Sequence, residues 1–215
     1  MSHNPKLGNQ LTLAIHSTDN SFGFAYRKNN NESDTFFIKE FKKDLCNNLI
    51  VDFNKFISKE SIQKVNKICV SIGPANFNAS RLIVVLARTI SQQIDCPLDS
   101  FSSFQLMSKR IALRNNMYSK NQSFWIYKKL KRKGFIAGRY EICISDQKNE
   151  ELAINEKVVP KVLQELVHTE PNFEANYDDE EDLKELLNLS NQNLAITSSQ
   201  SWKKVLPLYP LSPIN

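Results

Sequence analysis

The sequence has few of the residues that build metal and redox centres. Three histidines and four cysteines occur among 215 residues, and no two cysteines form a Cys-x-x-Cys pair. The four cysteines are far apart and three lie in apolar runs, a placement typical of buried free thiols. Because closed metal sites need clustered ligands, we expect no metal or other cofactor in this chain.

Long hydrophobic runs and glycine-rich loops are also scarce. The most apolar window, Ala79 to Ile94, is interrupted by Arg81 and Arg88 and is too short to span a bilayer. The first ten residues are polar and do not resemble a signal peptide. With five glycines, the chain has no Gly-x-x-x-x-Gly-Lys phosphate loop. We therefore expect a cytoplasmic protein without a membrane partner and outside the P-loop NTPases.

Charge is distributed unevenly along the chain. Residues 1–148 carry 23 Lys and Arg against 11 Asp and Glu, whereas residues 149–215 carry 5 against 12. A basic body followed by an acidic region suggests a polyanionic partner or a complementary protein surface. The abundance of lysine and asparagine is equally compatible with an AT-rich genome.

The first half of the chain predicts an α/β lobe. Apolar runs that start near Leu11, Phe22 and Thr35 are separated by turn signals, which predicts a β-meander. Helical spacing follows over residues 43–58, then a buried strand over 68–72. Two more helices, over 79–94 and 104–113, flank a short strand. Residues 1–114 thus have the predicted order β-β-β-α-β-α-β-α.

The second half, residues 115–215, predicts a smaller, degenerate α+β lobe. Two strands over residues 124–127 and 135–144 are expected to pair around a basic turn. Short helices are predicted over 158–167 and 180–189, with a loop over 170–179 between them. Residues 202–213 contain three prolines and predict an extended tail.

The helix predicted over residues 79–94 is apolar on nearly all sides, so both sides need a cover. One cover is its own sheet, and the other is a partner subunit or the second lobe of this chain. We favour a partner, because soluble proteins avoid large exposed apolar patches. The candidate interface residues are Leu49, Leu82, Val85 and Leu86, with Arg81 beside them.

The turn between the predicted buried strand and this helix has both a structural and a functional interpretation. Gly73 permits unusual backbone angles, and Asn76 or Asn78 can cap the helix. The structural interpretation adds Phe77 packed beneath the turn, whereas the functional one places a phosphate at the helix N-terminus. Arg81 lies in the first helical turn and opposes the helix dipole. We hypothesise that it pairs with a carboxylate across an interface.

The second half contains a basic turn, which has two interpretations, and an acidic segment. The basic turn and its flanking aromatic residues favour contact with RNA phosphates and bases, or simply form a solvated hairpin tip. The residues expected to contact RNA are Lys128, Lys129, Lys131, Arg132 and Lys133. The acidic segment Asp178–Asp182 matches the positive end of the following helix.

Three segments together resemble one protein family. Residues 68–82 are similar to the strand–turn–helix signature G-P-G-S-F-T-G-x-R-I-G of the TsaB (YeaZ) family, with Gly73, Pro74, Phe77 and Arg81 in register. Residues 13–18 resemble its opening L-A-I-D-T-S, and residues 96–103 its P-L-x-x-V-S-S segment. The tail 206–213 looks like that of cyanobacterial members. The departures from the pattern are His16, Ala75, Asn76, Asn78 and Ala79.

This resemblance implies an actin-like (ASKHA, ribonuclease H-like) fold and a non-catalytic role in tRNA modification. Family members are partner subunits of the transferase that makes threonylcarbamoyladenosine beside the anticodon, in tRNAs reading codons that start with A. The implied partners are a TsaD-type catalytic paralogue and a TsaE-type small ATPase, or a second copy of the chain. ATP and metal are expected on those partners, and tRNA contact is expected to be indirect.

Other functions remain open from the residues alone. His16 replaces the carboxylate that coordinates magnesium in actin-like ATPases, and imidazole is a poor ligand for that hard cation. A turn that satisfies its own backbone is the simpler interpretation of residues 16–18. The alternatives to a partner subunit are a stand-alone nucleotide- or RNA-binding protein, or a degenerate enzyme such as a phosphotransferase or the glycoprotease of older family labels.

Overall fold

The computed structural model describes residues 11–28, 33–41, 45–130, 134–144, 152–192 and 201–209. These residues form two sheets with helices packed around and between them. The strands are β1 (Leu11–Ser17), β2 (Ser21–Lys28), β3 (Thr35–Glu40), β4 (Val65–Ser71), β5 (Leu98–Phe101), β6 (Ser123–Lys129), β7 (Phe135–Ile144), β8 (Leu152–Leu163) and β9 (Asn172–Glu174). The helices are α1 (Leu45–Phe56), α2 (Lys59–Ile62), α3 (Phe77–Ile94), α4 (Ser103–Arg114) and α5 (Asp179–Gln192), with a 3-10 turn at Ser201–Lys204.

The first sheet has five strands in the order β3-β2-β1-β4-β5. The first three strands form an antiparallel meander, and β4 and β5 run parallel to β1. This is the predicted order of the first lobe, with α2 as an additional short helix before β4. Parallel neighbours need crossover connections, and helices α1 and α3 lie within those connections.

One face of this sheet carries an aromatic core covered by α1 and α3. Leu13 and Ile15 are fully buried on this face, and they alternate along β1 with Ala14 and His16, which face the other side. Phe24 packs edge-on against Phe53 of α1, with ring centroids 5.2 Å apart. Each fully buried side chain of this size stabilises the fold by about 1.5–3 kcal/mol relative to exposure.

The opposite face is covered by α4 and by α5, which comes from the second half of the chain. Ala14, Ala25 and Cys69 are small and lie beneath leucines of both helices. A Cβ atom added at Gly23 of β2 would lie 2.8 Å from Cδ1 of Leu183, so glycine permits the close approach of α5. Helix α5 therefore belongs to the layer on the first sheet, although it lies beyond residue 114.

The second sheet has four strands in the order β8-β7-β6-β9. The predicted pairing of β6 with β7 is confirmed, from Ser123–Glu141 to Lys129–Phe135. The predicted helix over residues 158–167 is wrong, because these residues continue β8 along β7 to Leu163. Pro160 is compatible with a strand there since β8 is at the sheet edge. The predicted loop over 170–179 contains β9, which pairs with β6.

Helix α4 connects the two sheets. Its Phe104, Met107 and Ile111 pack with Phe124 and Tyr140 of the second sheet. Leu106 of the same helix packs against the first sheet and α5. The two sheets thus share one central helix, and their cores meet on its two sides.

Helix α3 has one buried side rather than an apolar surface all round, which corrects the prediction. Its buried apolar residues recur at helical spacing and are Ala79, Ile83, Val84, Leu86, Ala87 and Ile90. The 3-10 turn adds a cover, with the Arg88 guanidinium 5.8 Å from the Trp202 ring centroid. Val85 is exposed, and Leu82 is half-buried. None of the helices in the described ranges is long and apolar enough to cross a membrane.

Candidate functional site

The carboxyl ends of the parallel strands β1, β4 and β5 meet at one edge of the first sheet. In open α/β sheets this edge is where ligands bind. Three segments come together there, residues 16–21, 71–78 and 101–103, which we call the carboxyl-edge region. The Asn76 N–H donates to the carbonyl of Thr18 at 3.4 Å, and the Ser103 N–H donates to the carbonyl of Gly73 at 2.7 Å.

The Gly73–Asn78 turn is built as a cap for α3. Gly73 has φ +99°, a conformation that favours glycine, and the peptide bond between Gly73 and Pro74 is cis. The Asn76 side chain accepts hydrogen bonds from the backbone N–H groups of Asn78 and Ala79 at 3.1 and 3.2 Å. The predicted cap is therefore confirmed, with Asn76 as the capping residue.

Phe77 does not pack beneath this turn, contrary to the structural interpretation. Its side chain is 40% exposed, and its ring centroid lies 4.9 Å from that of Tyr209. The Phe77 ring therefore lies at the surface beside Tyr209, while the Gly73 carbonyl accepts from the Ser103 N–H at the start of α4.

The β1–β2 turn satisfies its own backbone through Thr18, as the simpler interpretation predicts. The Thr18 N–H donates to the carbonyl of Ser21 at 2.9 Å, and the Ser21 N–H donates to Oγ1 of Thr18 at 3.2 Å. The Ser21 hydroxyl in turn donates to the Asp179 carboxylate at 2.7 Å. This contact fixes the start of α5 to the turn.

His16 is part of a buried charged cluster that the sequence did not reveal. It is fully buried at the end of β1, with its Nε2 3.7 Å from Oδ2 of Asp182. Arg110 of α4 donates to Oδ1 of the same carboxylate at 2.8 Å. Neither ring nitrogen of His16 has a hydrogen-bond partner among the described residues.

Burial sets the protonation behaviour of this cluster. Loss of solvation lowers the pKa of His16 from 6.5 to about 4. The negative charge of Asp179 acts to raise this pKa, and the positive charge of Arg110 acts to lower it further. Loss of solvation also raises the pKa of Asp182 to about 6, although Arg110 acts in the opposite direction. At neutral pH the histidine is therefore uncharged and faces an ionised carboxylate held by Arg110.

The acidic segment does match the helix N-terminus, as predicted, because Asp179, Glu180, Glu181 and Asp182 occupy the first turn of α5. Sequence reasoning missed that one of them is buried. The signal was present, since Asp182 falls on the same helical stripe as Leu183, Leu186 and Leu187.

The predicted RNA-contact residues are only partly available at the surface. Lys128 forms an ion pair with Asp19, and its Nζ lies 5.4 Å from the ring centroid of Tyr177. The Tyr177 hydroxyl donates to the carbonyl of Pro74 at 2.6 Å, so these residues bridge the two sheets. Lys129 is exposed. Lys131, Arg132 and Lys133 lie outside the described residues.

The predicted interface residues divide into two groups. Leu49 and Leu86 are 3% and 8% exposed and belong to the core of this chain, so a partner could reach little of them. Val85 is 52% exposed and Arg81 is also exposed. Within the described ranges Arg81 forms no ion pair, so its proposed carboxylate partner stays a prediction. Ile50 and Val51 of α1, which were not predicted, are about half exposed on the same side of the sheet.

In the described part of the chain, no three His, Cys, Asp or Glu side chains lie together as they would around a metal ion. Of the predicted site residues and their neighbours, the structure brings His16, Arg110 and Asp182 together in one buried cluster. It brings together Gly73, Pro74 and Ser103 through the backbone of the turn.

The meander, the parallel crossovers and the helices on both faces define the class of this protein, an actin-like α/β fold. Two solved structures share it over nearly the whole chain. An uncharacterized protein with similarity to peptidase YeaZ from Pseudomonas aeruginosa has a TM-score of 0.64 at 13% identity and covers 94% of this chain and 100% of its own. YeaZ from Pseudomonas aeruginosa has a TM-score of 0.62 at 13% identity and covers 93% and 99%.

This chain therefore has the fold of YeaZ (TsaB), with a strongly diverged sequence. A protein of actin-like ATPase fold from Bacteroides thetaiotaomicron overlaps more loosely, with a TM-score of 0.34 at 11% identity over 70% of each chain. No family model matches the sequence. No curated protein matches it either.

Proposed function

We propose that this chain is a non-catalytic partner subunit of the TsaB type, acting with a TsaD-type transferase in threonylcarbamoyladenosine modification of tRNA in the cytoplasm. The observation that carries the proposal is the fold shared with YeaZ over nearly the whole of both chains. The family-like residues Gly73, Pro74 and Arg81 lie at the β4–α3 junction of that fold, where the resemblance requires them.

The carboxyl-edge region supports a role without chemistry in this chain. His16 replaces a metal-binding carboxylate and is enclosed beside Asp182 and Arg110. Lys128 and Tyr177 bridge the cleft to Asp19 and Pro74, where an actin-like ATPase would admit nucleotide. These contacts favour a scaffold over the phosphotransferase and glycoprotease alternatives.

The outer side of α1 and α3 supports the partner role. Ile50, Val51 and Val85 are each about half exposed on helices that cover the same face of the first sheet. Exposed aliphatic side chains of this kind are typical of the core of an interface, and Arg81 would lie at its rim. We place the contact with the TsaD-type paralogue, or with a second copy, on this side.

Co-expression with the TsaD-type paralogue of the same organism tests the proposal. We expect a stable complex by size-exclusion chromatography with light scattering. Val85→Asp should weaken it about tenfold or more, because a charge would be buried in the contact. Val159→Asp is the matched control, since Val159 is 50% exposed on β8 of the second sheet. Leu86 is unsuitable for this test because a charge there would disrupt the core.

Two results would contradict the proposal. The first is a chain that stays monomeric beside the paralogue at micromolar concentration. The second is a complex that Val85→Asp and Val159→Asp weaken equally, which would remove the contact from α3. Circular dichroism of both variants separates loss of binding from loss of fold.

A further inference from the structure

A small cavity lies between the start of α3 and the second sheet. Its volume is about 200 Å³. One wall is formed by Pro74, Phe77 and Ser80, and the facing wall by Lys128, Leu130 and Ile136. Leu208 and Tyr209 also line the cavity, which shares the 71–78 turn with the carboxyl-edge region but is not lined by the buried charged cluster.

Ser80 gives this cavity an unsatisfied polar group. The residue is 3% exposed, and its hydroxyl has no hydrogen-bond partner among the described residues. Buried hydroxyl groups in proteins nearly always have a partner, so the Ser80 hydroxyl is a candidate donor to a bound ligand. It is also one turn inside an 18-residue helix whose N-terminus favours negative charge.

The other residues that line the cavity indicate which chemical groups a ligand would carry. Phe77 and Tyr209 are 40% and 43% exposed with ring centroids 4.9 Å apart, which provides an aromatic surface at the opening. Aromatic rings favour offset or edge-on contact with another ring. Lys128 places one ammonium group at the wall, where it already pairs with Asp19. The cavity therefore combines an aromatic surface, a buried hydroxyl and a cation shared with one carboxylate.

From this combination we infer that the cavity binds a small aromatic carboxylic acid, whose ring packs on Phe77 and Tyr209 and whose carboxylate accepts from Ser80 beside Lys128. The inference concerns a ligand of this chain alone and does not depend on the proposed partner. A cavity of this size holds one ring with its acid group, and a compound of that size reaches about millimolar affinity.

Titration of the full chain with benzoate, followed by saturation-transfer NMR and calorimetry, tests this inference. Benzoate should saturate with a Kd of about 1 mM, and acetate and benzamide should each bind about tenfold more weakly, because one lacks the ring and the other the charge. Ser80→Ala should weaken benzoate binding about tenfold. Thr89→Ala, an exposed position on the same helix, is the matched control and should leave binding unchanged.

Substitutions at Lys128 and at its partner Asp19 should change benzoate binding in opposite directions. Lys128→Gln should weaken benzoate binding, whereas Asp19→Asn should strengthen it about threefold, because the ammonium group loses its competing partner. Phe77→Leu, at an exposed position that folding tolerates, should weaken benzoate binding more than acetate binding. The inference is overturned if benzoate does not saturate below about 10 mM, if Ser80→Ala binds it as the wild type does, or if Asp19→Asn fails to strengthen binding.

Discussion

At the scale of single residues, the most unusual feature is an uncharged histidine enclosed with an ion pair. His16 is near the end of β1 and faces the start of α5, where Arg110, Asp179 and Asp182 determine the local field. Its position is fixed by strand alternation, because it faces the same side as Ala14, towards α4 and α5. The cost of this burial should appear as a dependence of stability on pH.

The free energy of unfolding should fall in acid because of His16. The folded state has a pKa of about 4 at this residue, and the unfolded state about 6.5, so the unfolded chain takes up the proton first. The contribution of uncharged His16 to the free energy of unfolding is fully present above pH 6.5, and it is lost as the pH falls towards 4. Asp182 acts in the opposite sense, since its pKa of about 6 makes its ionisation unfavourable in the folded state.

Urea denaturation between pH 7 and 4 measures the effect. Relative to His16→Asn, the wild type should lose up to about 3 kcal/mol over this range, which is the shift of the His16 pKa expressed as energy. His168 is exposed, and His168→Asn is the control, whose curve should follow the wild type. Parallel curves for the wild type and His16→Asn would show that His16 is not enclosed as described.

At the scale of elements, the position of α5 depends on one small residue beneath it. The Cβ of an alanine at Gly23 would lie 2.8 Å from Cδ1 of Leu183 and 3.0 Å from the Phe37 carbonyl oxygen, so the helix or the strand must move. Gly23→Ala should reduce the free energy of unfolding by about 1–3 kcal/mol, as overpacking does in other cores.

A double variant separates this contact from a general effect on β2. Leu183→Ala removes the methyl group that the new Cβ would meet, so Gly23→Ala should cost less in that background than alone. Denaturation of the two single variants and the double variant measures the difference. Equal costs in both backgrounds would mean that α5 does not rest on Gly23.

The elements that sequence patterns predicted are those with local signals. The meander β1–β3, the buried strand β4, and helices α3 and α4 have periodic apolar residues and clear turns, and Asn76 was an identifiable cap. Strand β8 was mistaken in part for a helix because Val158, Val162 and Leu163 permit helical spacing. Its strand form depends on pairing with β7, which is a distant contact. The cluster of His16 and Asp182 joins residues from opposite ends of the chain, and no local pattern reports such a contact.

At the scale of the whole molecule, α4 should make the two sheets unfold together. Phe104, Met107 and Ile111 belong to the core of the second sheet, and Leu106 to the layer on the first. Loss of either sheet would expose one side of this helix to water. Contacts of Lys128 and Tyr177 across the cleft add to the connection. Because the two cores share this helix, we expect one cooperative transition of the kind that single domains show.

The two tryptophans allow each sheet to be followed separately. Trp125 lies in β6 of the second sheet, and Trp202 lies in the 3-10 turn that packs with the core of the first. Fluorescence of Trp202→Phe reports on the second sheet, and that of Trp125→Phe on the first. Within each variant, we expect the urea midpoint measured by fluorescence to equal the midpoint measured by circular dichroism. Comparing the two signals in the same variant removes the effect of the substitution on overall stability.

Met107→Ala provides the stronger form of this test. A cavity at this fully buried position should lower stability by about 2–5 kcal/mol, and the loss should appear equally at both tryptophans although Met107 belongs to the second core. A lower midpoint at Trp125 with an unchanged midpoint at Trp202 would show two independent units. The shared helix would then be a connection between lobes rather than a common core, and the cleft between them would be free to open.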